Sequence, residues 1–232
     1  MSMSVAGVSS YHSNTGKWMK QLISGKKINS AADDAAGSAI ASKLTSQINS
    51  ANASASNYKS QIMKNNVADG AMSGMNSYLA DKTSKSVQAS NDTLSSGDKA
   101  TIYDHMNIMN QGISSLANTT YNEQNVLSAD TVAAASGSGF DLSSIESATD
   151  SLYSAMAANG AATNAASHAA NIASITAINS AAALSRVEDA DMAKASVGLS
   201  ASKTMDDVNN AMLKKQMEDQ EEDNKRILGV NQ

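Results

Sequence analysis

Three sets of side chains in this sequence could do chemistry. Asp33 and Asp34 stand side by side, and paired carboxylates are one arrangement for general acid and base work. With no His beside them, they read instead as acids capping a helix start. Glu188, Asp189 and Asp191 offer oxygen ligands of the kind that suit Ca²⁺ or Mg²⁺. Their spacing is not that of a calcium loop, so they read as a solvated or interface turn. His12, His105 and His168 never pair at i, i+4, and no His-Glu-x-x-His occurs, which excludes a zinc peptidase site. Ser136-Gly-Ser-Gly is too short to cradle a phosphate and reads as a flexible linker. Without any cysteine there is no thiolate ligand, Cys nucleophile or disulfide framework. The expectation is a chain with no catalytic, cofactor-binding or metal-binding residues, and no enzyme activity.

Composition says what must position these residues. Only 3% of the 232 residues are aromatic, with Phe140 the one Phe and Trp18 the one Trp. Buried area must therefore come from Ala, Met, Ile, Leu and Val, which suits long helices side by side better than a thick core. Proline is absent, so nothing forces a helix to break. A net charge of -5 with no basic stripe argues against nucleic acid. No run of about 18 apolar residues exists to span a membrane. The start lacks the pattern of a secretory signal, since Lys17 and Lys20 follow a polar opening instead of leading an apolar run.

Periodicity places the helices. Residues 1–27 are weakly patterned and read as an arm, or as a helix formed on assembly. Ser30 with Asp33 resembles a capping box opening a long helix. Ile40, Leu44, Ile48, Ala51, Ala55, Tyr58 and Ile62 then recur at steps of three and four, and Met72, Met75 and Leu79 continue the stripe. A break falls near 91–97, after which Ile102, Met106, Met109, Ile113 and Leu116 repeat at heptad spacing. Residues 119–143 predict a turn with a small β-hairpin. A third long helix runs from Ile145 to about Ala183 on a thin apolar face, and a last one ends in the charged run Glu218 to Arg226. The fold class is all-α: a long antiparallel helical bundle or coiled coil.

Five segments, in order, resemble one family. Leu22-Ile-Ser-Gly-Lys-Lys-Ile-Asn-Ser-Ala-Ala-Asp-Asp-Ala-Ala-Gly is similar to the flagellin pattern L-S-S-G-x-R-I-N-S-A-x-D-D-A-A-G. Ser185-Arg-Val-Glu-Asp-Ala-Asp resembles S-R-I-E-D-A-D. Ser86-Val-Gln-Ala-Ser-Asn, Asn118-Thr-Thr-Tyr-Asn and Asn159-Gly-Ala-Ala-Thr-Asn resemble L-x-V-Q-x-x-N, N-Q-T-x-F-N-G and L-G-A-x-x-N. Ile23 and Lys27 depart from the first pattern, and the tail from Glu218 is more charged than the family's striped end.

The resemblance to bacterial flagellins implies a structural subunit of the flagellar filament, assembled by helix packing after type III export. It is then secreted to the flagellum without a cleaved signal peptide or membrane insertion. Residues 1–30 and 192–232 become terminal arms of an inner coiled-coil region and 31–191 the helical core, with no outer variable domain. The implied partners are other flagellin subunits, with a flagellar export chaperone at the C-terminal arm. The implied subunit interface is Ile28, Asn29, Ser30, Asp33, Asp34, Arg186, Glu188 and Asp189. Leu79, Asp81, Val87 and Gln88 fall on the helix that faces the flagellin-sensing Toll-like receptor, with Asp81 where an arginine is expected. The alternatives are a secreted flagellin-like effector or signalling ligand that does not polymerise, and a hook–filament junction protein.

Overall fold

A chain without proline, rich in Ala and other good helix formers, can run uninterrupted helices, and this one does. The computed structural model describes residues 5–136, 139–227 and 229. Six helices are present among them: α1 (Val5–Ser24), α2 (Ala35–Ala89), α3 (Ser96–Ala117), α4 (Ala129–Ser136), α5 (Leu142–Glu188) and α6 (Met192–Ile227). Strands β1 (Thr120–Tyr121) and β2 (Gln124–Asn125) pair antiparallel. The class is all-α with a small hairpin, as the periodicity predicts.

The chain forms two compact units, residues 50–177 and residues 1–49 with 178–232. In the first, Met72, Met75 and Leu79 of α2 meet Ile102, Met106 and Ile113 of α3 and Ile145 and Leu152 of α5. Glycines set the helix spacing. A Cβ on Gly74 would lie 2.7 Å from Leu116 Cδ1, and one on Gly112 would lie 2.6 Å from the Tyr78 ring. Lys82 is also wholly buried, donating to Asn110 Oδ1 at 2.7 Å. Burial pushes its ammonium pKa down, and the Asp141 charge pushes it back up. Ser95 caps α3 and Asp98 completes the capping box. The hairpin turns on Asn122 and Glu123, both at positive φ (52° and 63°), the conformation of a tight two-residue turn.

Beyond Leu152 the buried face of α5 is Ala166, Ala170 and Ala177, while Ile172, Ile175 and Ile178 are more than half exposed. The larger residues thus lie off the packing face. Helix α4 was not foreseen in 119–143, and within Ser136-Gly-Ser-Gly, residues 137 and 138 lie outside the described residues.

In the second unit, most of the weakly patterned start is the helix α1, Val5–Ser24. Its few large side chains suffice because α6 offers small ones opposite. Trp18 lies over Gly198, where a Cβ would come within 2.6 Å of the ring. Ala195 and Ser202 are buried one turn to either side of it. Thr15 Oγ1 donates to Asp206 Oδ2 at 2.8 Å. Trp18 pairing with Gly198, and Thr15 with Asp206, makes α1 and α6 antiparallel.

Candidate assembly interface

The two motif segments are far apart in sequence and adjacent in space. Gly25 takes φ +70°, the left-handed conformation that ends α1. The chain then runs extended beside the end of α5. Lys26 and Asp189 form an antiparallel bridge. Lys27 N donates to Glu188 O at 2.7 Å, and Ala190 N donates to Gly25 O at 2.9 Å. Side chains close the same junction. Lys26 Nζ meets Glu188 Oε1 at 2.7 Å, and Lys27 Nζ donates to Arg186 O at 3.1 Å. Gln21, buried, donates to Lys27 O at 3.1 Å.

The loop from Ile28 to Asp34 is organised by its acids. Asp33 Oδ2 accepts from Asn29 N at 3.1 Å, Ser30 N at 3.0 Å and Ser30 Oγ at 3.1 Å. The Asn29 amide, then the Ser30 hydroxyl, hold its carboxyl below the usual range, and Lys17 adds to this. Asp34 Oδ1 accepts from Gly37 N at 2.9 Å. The helix therefore starts at Ala35 with Asp34 as its cap, not at Ser30. An N-cap side chain accepts from the N2 or N3 amide, and Asp34 accepts from the N3 amide of Gly37. Ile28 fills the angle between loop and helix, so a Cβ on Gly37 would lie 2.6 Å from its Cδ1 and would also overlap Asp34 Oδ2.

The three carboxylates considered as cation ligands are each committed elsewhere. Glu188 pairs with Lys26, Asp189 accepts from Ser185 Oγ, and Asp191 Oδ1 caps α6 by accepting from Lys194 N at 3.0 Å. Among the described residues no group of three or more His, Cys, Asp or Glu is placed to hold a metal.

Of the eight expected interface residues, Asn29, Ser30, Asp33, Asp34, Arg186 and Asp189 are exposed and Glu188 is half-buried. Ile28 is 7% exposed, and its side chain packs inside the protomer. Leu79, expected to face a receptor, is likewise wholly buried in the core of the other unit. Asp81, Val87 and Gln88 are exposed, and the seven-residue step from Asp81 to Gln88 keeps those two on one helix face. Sequence reading missed Lys26, which joins the two segments, and Ser185, whose hydroxyl holds Asp189 within its own segment. Their signal was present, since both lie within the quoted motifs.

Comparison with known proteins agrees with this geometry. A family model described as the bacterial flagellin N-terminal helical region matches residues 3–131, more than half of the chain. The chain is 41% identical over 115 residues to a flagellin of Clostridium tyrobutyricum, covering 49% of this chain and 30% of that protein. It is 36% identical over 106 residues to flagellin B of Vibrio anguillarum, covering 46% and 28%. With the phase 1 flagellin of Salmonella naestved it shares 37% over 113 residues, covering 48% and 22%. The chain thus spans less than a third of the length of these relatives. Ordered motifs, clasped segments and the family match together place this chain in the bacterial flagellin family.

Proposed function

We propose that this chain is a structural subunit of a bacterial flagellar filament, carried out by type III export and held by helix packing against other flagellin subunits. The observation that carries this reading is the clasp between residues 25–34 and 185–191. It holds Asn29, Ser30, Asp33, Asp34, Arg186 and Asp189 as one exposed polar surface. A rigid surface repeated on identical copies suits polymerisation, where many modest contacts sum. The charged end of α6 is the proposed place for an export chaperone.

The test is sedimentation of the purified chain with electron microscopy of the pellet. Filaments support the reading, and a chain that stays monomeric at high concentration favours a non-polymerising ligand. Changing Asp33 and Asp34 together to Ala should lower filament yield. The monomer should lose only about 0.5–2 kcal/mol, the worth of a helix cap. Unchanged yield in that variant would remove these acids from the interface.

A further inference from the structure

Met63 of α2 and Tyr121 of β1 are 58 positions apart in one compact unit, and their side chains meet. The Tyr121 hydroxyl donates to Met63 Sδ at 3.7 Å. Among the described residues no other methionine sulfur accepts a hydrogen bond. Tyr121 stands beside the turn at Asn122 and Glu123, so this contact ties the hairpin to the long helix. A thioether is a weak acceptor, and the tie is correspondingly weak.

Exposure separates Met63 from the other methionines of its unit. Met72, Met75 and Met106 are 2% exposed or less, Met109 and Met156 are half-buried, and Met63 is 56% exposed. Close packing keeps an oxidant from the buried sulfurs, whereas the Met63 side chain is open to a small peroxide. Met205, Met212 and Met217 of α6 are as open, but none has a hydroxyl on its sulfur.

We propose that Met63 is a site of reversible sulfoxidation, and that its sulfoxide fastens the hairpin to α2. A lone pair of Sδ attacks one oxygen of hydrogen peroxide. The S–O bond forms as the O–O bond breaks. The departing hydroxide takes the proton of the transferred oxygen and leaves as water. Sulfur gives up two electrons and the peroxide gains them. The product, methionine sulfoxide, is returned to the thioether by the sulfoxide reductases. Its oxygen is a stronger acceptor than sulfur, and a donor is already aimed at it. A hydroxyl 3.7 Å from the sulfur leaves room to meet that oxygen at about 2.7–2.8 Å, an ordinary O–H···O distance. Methionine oxidation commonly disrupts structure by putting a polar group into apolar packing. Here the sign is reversed, because the side chain is open and its new oxygen has a partner.

The experiment treats the full chain with graded hydrogen peroxide, maps oxidation by mass spectrometry of its peptides, and follows amide hydrogen exchange in the hairpin. Circular dichroism checks that each variant keeps its helices. Met63 should be oxidised at doses that leave Met72, Met75 and Met106 intact. Exchange of the hairpin amides, among them Val126 N, which donates to Thr119 O at 3.1 Å, should slow about threefold or more. Sulfoxide reductase should restore the faster exchange. In Tyr121→Phe and in Met63→Leu the slowing should be absent, although the α6 methionines are oxidised as before. A Met63 left unmodified at a dose that oxidises Met217 would overturn the site. Unchanged or faster hairpin exchange in the oxidised parent would overturn the fastening, as would equal slowing in either variant.

Discussion

Lys26 and Glu188 are 162 positions apart, yet their side chains meet at 2.7 Å. Lys26 is half exposed and Glu188 is 18% exposed, so the ion pair itself contributes about 1 kcal/mol or less. The backbone bonds on either side of it carry the junction. Their effect is to make one surface from two segments that sequence comparison can only quote separately.

Gly37 and Gly70 should respond in opposite directions to the same change. Both lie in α2, and Ala for Gly within a helix normally gains about 0.5–1 kcal/mol. Gly70 has open space where the methyl would go, so Gly70→Ala should give that gain. At Gly37 the methyl meets buried Ile28 and the capping Asp34. Making room costs the cap or the packing, so Gly37→Ala should lose about 1–2 kcal/mol. Urea denaturation of both variants decides it, and a stabilised Gly37→Ala would contradict the packing described.

The hairpin carries a removable strain. Glu123 sits at φ 63°, where a residue with a Cβ is disfavoured and glycine is not. Glu123→Gly should stabilise the protein by about 0.5–1 kcal/mol, the second residue of such a turn being glycine by preference. A lower thermal midpoint in the variant would mean that the Glu123 side chain does something the turn conformation does not reveal.

Much of this fold is legible in the sequence because helical periodicity survives in it. Met72, Met75, Leu79, Ile102, Met106 and Ile113 are all core, as their spacing predicts. Capping chemistry was not legible from residue spacing alone. Ser95 with Asp98 is a true capping box, whereas Ser30 with Asp33 has the same spacing and forms a turn. Only the position of the next amide, Gly37, decides between them. Lys82 was illegible, since a lysine on an apolar stripe counts as polar, and its burial depends on Asn110 standing opposite. Burial within the interface motif was equally hidden. Ile28 lies among surface residues in sequence, and only the helix start at Ala35 folds the loop over it.

Acid should weaken the start of α5. Asp141 caps it, with the Ser144 hydroxyl, the Ser144 amide at 2.9 Å and the Ser143 hydroxyl holding its pKa at about 2 against an ordinary 3.8. A depressed folded-state pKa means stability that is complete above the unfolded value and lost as pH falls through the folded one. The contribution should therefore be full above about pH 5 and fade between about pH 4 and 2. Asp141→Asn should flatten that part of the profile in urea melts at each pH. An identical acid profile in the variant would assign the loss to other carboxylates.

Weak activation of the flagellin-sensing Toll-like receptor is expected from Asp81. It is exposed on α2, on the face it shares with Gln88, and presents a carboxylate where the family resemblance places an arginine. A lost charge-assisted hydrogen bond costs about 1.5–3 kcal/mol, and a wrong-signed charge in a desolvated contact costs more. Lys82 cannot substitute, because it is buried. A reporter assay on purified monomer should show little signal, with a gain for Asp81→Arg. Strong signalling by the unaltered chain would contradict this placement.

The central claim is that the chain is built into filaments. It is tested most directly by shearing flagella from cells that express it, purifying the filaments and identifying their subunits by mass spectrometry. The account predicts this chain in the filament fraction, with the Asp33→Ala, Asp34→Ala variant depleted from it. Recovery of the chain only as free protein in the medium, with none in the filaments, would contradict it.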